Sequence, residues 1–160
     1  MNASQARRVY LDHNATTPVH PEVLEAMLPY YKDKFGNPSS IHGFGRVTKV
    51  DLEESREKVA KVIKASSNEI YFTSGGTESD NLAIKGTAFA NRKKGKHIIT
   101  SKIEHHAVLE SCKFLEKEGF EVTYLPVDGQ GFVDPDDLKR ALREDTILVL
   151  SPTLLKCSAA

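Results

Sequence analysis

Apolar and polar positions follow a helical period through the first half of the chain. Apolar residues three and four positions apart predict one helix over residues 21–35 and a longer one over 46–65. The stretch between them, residues 36–45, is rich in glycine, serine and asparagine, which predicts a loop. A short apolar segment precedes both helices. The longer helix is predicted to bury one side, formed by Val47, Val50, Val59, Val62 and Ile63.

The second half of the chain alternates short apolar runs with amphipathic segments. Strands are predicted at residues 69–73, 97–100, 121–127 and 146–150, and helices at 78–92, 105–119 and 135–143. Such alternation favours a sheet with helices on both faces. The sequence therefore predicts an α/β fold with a doubly wound, mostly parallel sheet, in which ligands bind at the carboxyl ends of the strands.

One predicted turn between a strand and a helix has the composition of an anion site. Its sequence, residues 71–81, is YFTSGGTESDN. Glycines allow a tight turn, and the first N–H groups of a helix lack intrahelical partners. These donors and the helix dipole favour phosphate, and the hydroxyls of Ser74 and Thr77 lie beside them. The alternative is a simple connection in which Thr77 or Ser74 caps the helix.

A second turn at the carboxyl end of a predicted strand, residues 100–106, carries two adjacent histidines. His105 begins the next helix, where an imidazole can lie against an aromatic ligand or serve as acid or base. The alternative is a half-exposed histidine without a role. Because His105 and His106 point in different directions and no third ligand lies at a useful spacing, no metal site is predicted.

Composition and charge narrow the class of protein. The 160 residues suffice for one domain with a core, and 22 basic residues balance 22 acidic ones. Without a basic surplus, nucleic-acid binding is not expected. Cys112 and Cys157 form neither a disulfide framework nor a Cys-x-x-Cys motif, and no apolar run has the length of a signal peptide or membrane span. We therefore expect a cytoplasmic protein that binds no membrane.

Four motifs extend these observations to nearly the whole chain. They are YLDHNATTP at residues 10–18, FGNPSS at 35–40, FTSGGTESDNLA at 72–83 and EHHAVL at 104–109. In this order and spacing they resemble the cysteine desulfurase family, within the class-V aminotransferases that use pyridoxal phosphate. The resemblance runs from about residue 9 to residue 149. It implies an incomplete large domain of a fold type I pyridoxal-phosphate enzyme.

The resemblance also implies roles for individual residues. Gly76 and Thr77 match the pair that holds the cofactor phosphate, and His105 matches the catalytic histidine that stacks on the cofactor ring. Asn14 lies in the segment that reaches the substrate, and His42 lies in a loop near the same pocket. For Asn14 and His42 the alternatives are a turn-stabilising asparagine and a surface histidine. The implied domains are residues 1–20, reaching the active site, 21–149, the cofactor-binding part, and 150–160, a tail outside the family pattern.

The implied activity converts L-cysteine to L-alanine and leaves the sulfur as a persulfide on an enzyme cysteine. Implied partners are a second copy of the full-length protein, in a homodimer, and a sulfur acceptor or iron–sulfur scaffold protein. Two alternatives stay open. The chain could be a non-enzymatic partner of an intact relative, or belong to another class-V pyridoxal-phosphate enzyme such as a selenocysteine lyase.

The chain departs from the family after Val149, where relatives continue with Ala-Asn-Asn-Glu and this chain reads LSPTLLKCSAA. The family's cofactor-binding lysine and nucleophilic cysteine lie beyond this point, so the chain alone is expected to be a truncated, inactive form. The sequence surroundings of Lys156 and Cys157 match neither those of the family's cofactor-binding lysine nor those of its nucleophilic cysteine. Cys112 shares a helical side with Val108 and Leu115 and is predicted to pack as a small apolar group.

Overall fold

The computed structural model describes residues 8–150, which form two compact units. The first ends at Tyr71 and the second begins at Phe72. The first unit contains helices α1 (Pro21–Lys32) and α2 (Gly43–Ile63) and a 3₁₀ helix (Ser67–Glu69). The second contains α3 (Gly76–Asn91), β1 (His97–Ser101), α4 (His106–Lys117), β2 (Glu121–Leu125), α5 (Pro135–Ala141) and β3 (Thr146–Val149).

Helix α1 begins at Pro21, whose restricted φ suits the first helical position. It ends at Lys32, three residues before the predicted end. The N–H groups of Asp33 and Lys34 both donate to the Pro29 carbonyl oxygen at 2.8 Å, which closes the last turn. The loop that follows then leads into α2.

Helix α2 begins at Gly43, inside the stretch predicted as a loop. The rest of that loop packs tightly against the first turn of the helix. A Cβ on Gly45 would lie 2.4 Å from the Ser40 carbonyl oxygen. The helix ends where Lys64 adopts a left-handed φ of 56°. The prediction of a buried side of α2 is wrong for the described residues. Ala60 is the only apolar side chain of this helix that is buried there, and the five residues predicted to be buried are exposed.

The predicted strand at residues 69–73 is also wrong. Ser67–Glu69 is a 3₁₀ helix, and no strand pairing includes residues 70–73 in the described part of the chain. The Ser66 N–H donates to the Glu69 carboxylate at 2.7 Å, a local bond that holds this turn. An apolar run becomes a strand only when another strand pairs with it.

The sheet of the second unit confirms the predicted parallel α/β fold. Its order is β2-β1-β3, and β1 pairs in parallel with both neighbours. The β1–β2 register runs from His97 opposite Glu121 to Ser101 opposite Leu125. The pairing of β1 with β3 is irregular between His97 and Ile98. The helices and strands of this unit begin and end within two residues of their predicted bounds.

The connections of the sheet change direction at β1. The chain passes from β1 through α4 to β2, and then returns through α5 to β3 on the other side of β1. Right-handed crossovers place α4 and α5 on opposite faces of the sheet. The carboxyl ends of β1 and β3 therefore border a topological switch point, where ligands bind in sheets of this kind.

The core of the second unit lies between the sheet and the helices α3 and α4. All five residues of β1 are buried. Cys112 is fully buried, which confirms its predicted packing. The core residues are Ile84, Ala88, Ile98, Val108, Cys112, Leu115 and Phe120. Within residues 8–150, no helix is long and apolar enough to cross a membrane.

Candidate active site

The first turn of α3 offers three backbone donors. Its N-cap is Gly75, in extended conformation, and the first helical hydrogen bond runs from the Ser79 N–H to the Gly75 carbonyl oxygen at 3.1 Å. The N–H groups of Gly76, Thr77 and Glu78 donate no hydrogen bond to any described residue. Such groups, at the positive end of a helix, favour an anion.

Glu78 holds the turn that leads into this helix. The hydroxyl and the N–H of Ser74 both donate to its carboxylate, at 2.6 and 2.7 Å. These two bonds hold the pKa of the Glu78 carboxyl below its usual range. Neither Ser74 nor Thr77 is the N-cap of α3, because the N-cap is Gly75 and the Ser74 hydroxyl donates to Glu78. The Thr77 hydroxyl makes no hydrogen bond within the described residues and stays available as a donor.

Open space surrounds the two glycines of this turn. A Cβ built on Gly75 or on Gly76 would meet no atom within 4 Å. The packing of the described chain therefore does not require glycine at either position. The absence of side chains leaves room for a ligand to approach the free N–H groups, so this turn fits a phosphate group.

His105 lies at the start of α4, directly after β1. The connecting turn is held by the Ser101 hydroxyl, which donates to the Glu104 carboxylate at 3.0 Å. His105 is the N-cap of α4, and its Nδ1 atom accepts a hydrogen bond from the Ala107 N–H at 3.1 Å. The predicted helix start is thus correct to one residue, and the imidazole is exposed.

The topology brings these two helix starts to the same edge of the sheet. Helix α3 turns directly into β1, and β1 turns directly into α4, so both helices run antiparallel to β1. They also pack against each other. Gly76, Thr77 and His105 therefore lie at the carboxyl edge of the strands, on one face. On that face the buried hydroxyl of Thr100 has no hydrogen-bond partner among the described residues.

The two proposed substrate residues belong to the first unit. Asn14 is exposed in a turn held by the Asp12 carbonyl oxygen, which accepts from the Ala15 N–H at 3.1 Å. His42 is the N-cap of α2, and its Nδ1 atom accepts from the Gly45 N–H at 3.4 Å. The roles of Asn14 and His42 stay predictions. Lys156 and Cys157 lie outside the described residues.

Two buried titratable side chains, His97 and Cys112, lie in or against the sheet. The Nδ1 and Nε2 atoms of His97 lie 2.8 Å from the hydroxyls of Thr146 and Thr123, so this ring joins all three strands. Burial raises the pKa of the Cys112 thiol to about 11, which makes it a poor nucleophile. Sequence reasoning missed the role of Glu78, although a glutamate in the first turn after small polar residues is a known capping signal.

Comparison with known proteins places the chain in a family. The sequence model described as aminotransferase class-V matches residues 9–153. The chain belongs to the class-V aminotransferase family. Members of this family are pyridoxal-phosphate dependent. The four motifs and the parallel α/β fold agree with this assignment.

The similar curated proteins are named cysteine desulfurase IscS. That of Dictyoglomus turgidum is 72% identical over 143 residues, which are 89% of this chain and 36% of the relative. That of Methanosarcina thermophila is 62% identical over 147 residues, 92% of this chain and 36% of the relative. This chain thus spans little more than a third of their length and corresponds to their N-terminal portion.

Solved structures of similar proteins superpose on most of this chain and are likewise longer than it. A NifS-like protein superposes with a TM-score of 0.86 at 48% identity, over 91% of this chain and 40% of that protein. The structure of SspA in complex with cysteine superposes with a TM-score of 0.81 at 42% identity, over 89% of this chain and 41% of that protein.

Proposed function

We propose that this chain supplies the phosphate-binding and ring-contacting part of a pyridoxal-phosphate-dependent cysteine desulfurase. The complete enzyme would convert L-cysteine to L-alanine and pass the sulfur to one of its own cysteines. The observation that carries this proposal is the set of three N–H groups at the start of α3 that donate to no described residue, beside glycines where a Cβ would meet no atom within 4 Å. The names of the relatives support the choice of reaction.

Gly76 and Thr77 would hold the cofactor phosphate through their N–H groups and the Thr77 hydroxyl. The positive end of α3 adds to this attraction. The ionised Glu78 keeps the preceding turn in shape, while its charge is satisfied by the two donors of Ser74. When bound, the cofactor supplies an electron sink for the carbanion that forms at the substrate.

His105 would contact the cofactor ring from the start of α4, and Asn14 and His42 would serve on the substrate side. L-Cysteine is the proposed substrate, and a related protein has been solved in complex with cysteine. We place the cofactor-binding lysine and the nucleophilic cysteine in the part of the relatives that this chain does not span. A homodimer, a sulfur acceptor or iron–sulfur scaffold partner, and a cytoplasmic location remain part of the proposal.

A chimera tests the proposal. Residues 1–149 are joined to the C-terminal part of the Dictyoglomus turgidum relative, and alanine formation from cysteine and retention of pyridoxal phosphate are measured. We expect an active chimera. In it, Thr77→Val removes a hydrogen bond to a charged group, worth about 1.5–3 kcal/mol. This loss weakens cofactor binding about tenfold or more.

Thr87→Val is the matched control, because it makes the same change on α3 three turns from the phosphate site. It should leave cofactor binding unchanged. Equal cofactor affinity in the Thr77 and Thr87 variants would remove Thr77 from the phosphate site. A folded chimera that binds cofactor but forms no alanine would refute desulfurase chemistry for this sequence.

A further inference from the structure

Two histidines, one in each compact unit, have the same local arrangement at a helix start. His42 caps α2 and His105 caps α4, and in both the Nδ1 atom accepts a hydrogen bond from a backbone N–H of the first turn. The bond from Ala107 to His105 is the shorter, at 3.1 Å against 3.4 Å for the bond from Gly45 to His42. Histidine is not among the residues preferred at helix N-caps.

The hydrogen bond to Nδ1 determines where the ring carries its proton. A nitrogen that accepts a hydrogen bond has no proton, so the neutral ring of His105 is protonated at Nε2. Nδ1 accepts the capping hydrogen bond that the side-chain oxygen of an asparagine would accept, since both atoms are bonded to Cγ. Asparagine would therefore cap α4 equally well, but its amide nitrogen is bonded directly to Cγ, whereas the Nε2–H of histidine lies one bond further from the backbone.

From this geometry we infer that α4 holds the neutral ring of His105 in the Nε2–H tautomer, so that the exposed ring presents a hydrogen-bond donor at the carboxyl edge of the sheet. Its ligand there would be an acceptor, such as an anionic oxygen of the substrate or cofactor. That ligand rests on the proposed function, whereas the tautomer does not.

The capping half of this inference is tested on the 160-residue chain by urea unfolding. His105→Ala removes the cap and should raise the unfolding equilibrium constant about fivefold. His105→Asn should restore the wild-type value, because the amide oxygen replaces Nδ1. The control is His106→Ala, an exposed neighbour in the first turn that caps nothing, which should not raise the unfolding constant because alanine favours the helix. An asparagine variant as unstable as the alanine variant overturns the inference.

The tautomer is read directly by long-range ¹H–¹⁵N NMR at about pH 8.5, where imidazole is neutral. His105, assigned by loss of its signals in His105→Asn, should show Nε2 alone protonated, whereas His106 should show a mixture of tautomers. A proton on Nδ1 of His105 would overturn the inference. If the asparagine variant of the chimera turns over cysteine as fast as wild type, the ligand contact in the proposed function fails while the tautomer stands.

Discussion

Gly95 lies where the chain passes from α3 into β1, and a side chain there would collide with the backbone before β3. A Cβ on Gly95 would lie 2.1 Å from the carbonyl oxygen of Asp145, 2.7 Å from its carbonyl carbon and 2.8 Å from its Cα. Backbone atoms cannot rotate away as a flexible side chain can. Gly95→Ala must therefore displace β3 or the end of α3, and overpacking of this kind costs about 1–3 kcal/mol or more.

The measurement is a urea unfolding curve followed by far-ultraviolet circular dichroism. Gly95→Ala should lower the free energy of unfolding by about 2 kcal/mol. This figure includes the small stabilisation that alanine gives by lowering the entropy of the unfolded chain. Gly86→Ala is the matched control in the interior of α3, where a Cβ would meet no atom within 4 Å. It should raise the free energy of unfolding by up to about 1 kcal/mol. A Gly95 variant as stable as the Gly86 variant would refute the close approach to Asp145.

Two further predictions concern buried titratable groups. Burial, and to a lesser degree the charge of Arg143, lowers the pKa of His97 in the folded chain. The neutral His97 ring should therefore contribute its full stabilisation above about pH 6.5, and this stabilisation should be lost as pH falls through the lower folded-state pKa. Urea midpoints between about pH 8 and 5 should show this loss in wild type, and His97→Gln should lessen it. In a Cys157→Ser background, the Cys112 thiol should resist a disulfide reagent in the native chain and react quickly in urea. Equal rates in both conditions would contradict its burial.

The helices and strands of the second unit were predicted well because each is marked by the pattern of residues within its own segment of the sequence. The alternation of apolar runs with amphipathic segments, separated by glycines such as Gly95 and Gly119, defines β1, β2 and their helices to within two residues. The first unit was harder to predict, because many of its large apolar side chains are exposed in the described part of the chain. Ile70 and Tyr71 have strand composition but lie in none of the described strands, and the five apolar residues of α2 predicted to be buried are exposed among the described residues.

The candidate site was predictable as far as it depends on the order of elements. The order α3, β1, α4 brings the starts of both helices to the carboxyl edge of β1, although the strand predicted before α3 is absent from the described residues. The individual residues Gly76, Thr77 and His105 were singled out by the family resemblance. The individual hydrogen bonds were not predictable. The engagement of Ser74 by Glu78 and the use of Nδ1 as a cap by His105 depend on distances of a few tenths of an ångström.

The strand order β2-β1-β3 also bears on the sequence of events during synthesis. The unit from β1 through α4 to β2 is continuous in the chain and can pair as soon as Leu125 has left the ribosome. The other edge of β1 has to wait until residues 146–149 have been made. Until then Ile99 and His97 lack their β3 neighbours, and the nascent chain carries an open strand edge. Arrival of β3 pairs that edge of β1 and brings the Thr146 hydroxyl to the His97 ring, so that a side-chain bond then connects these two strands.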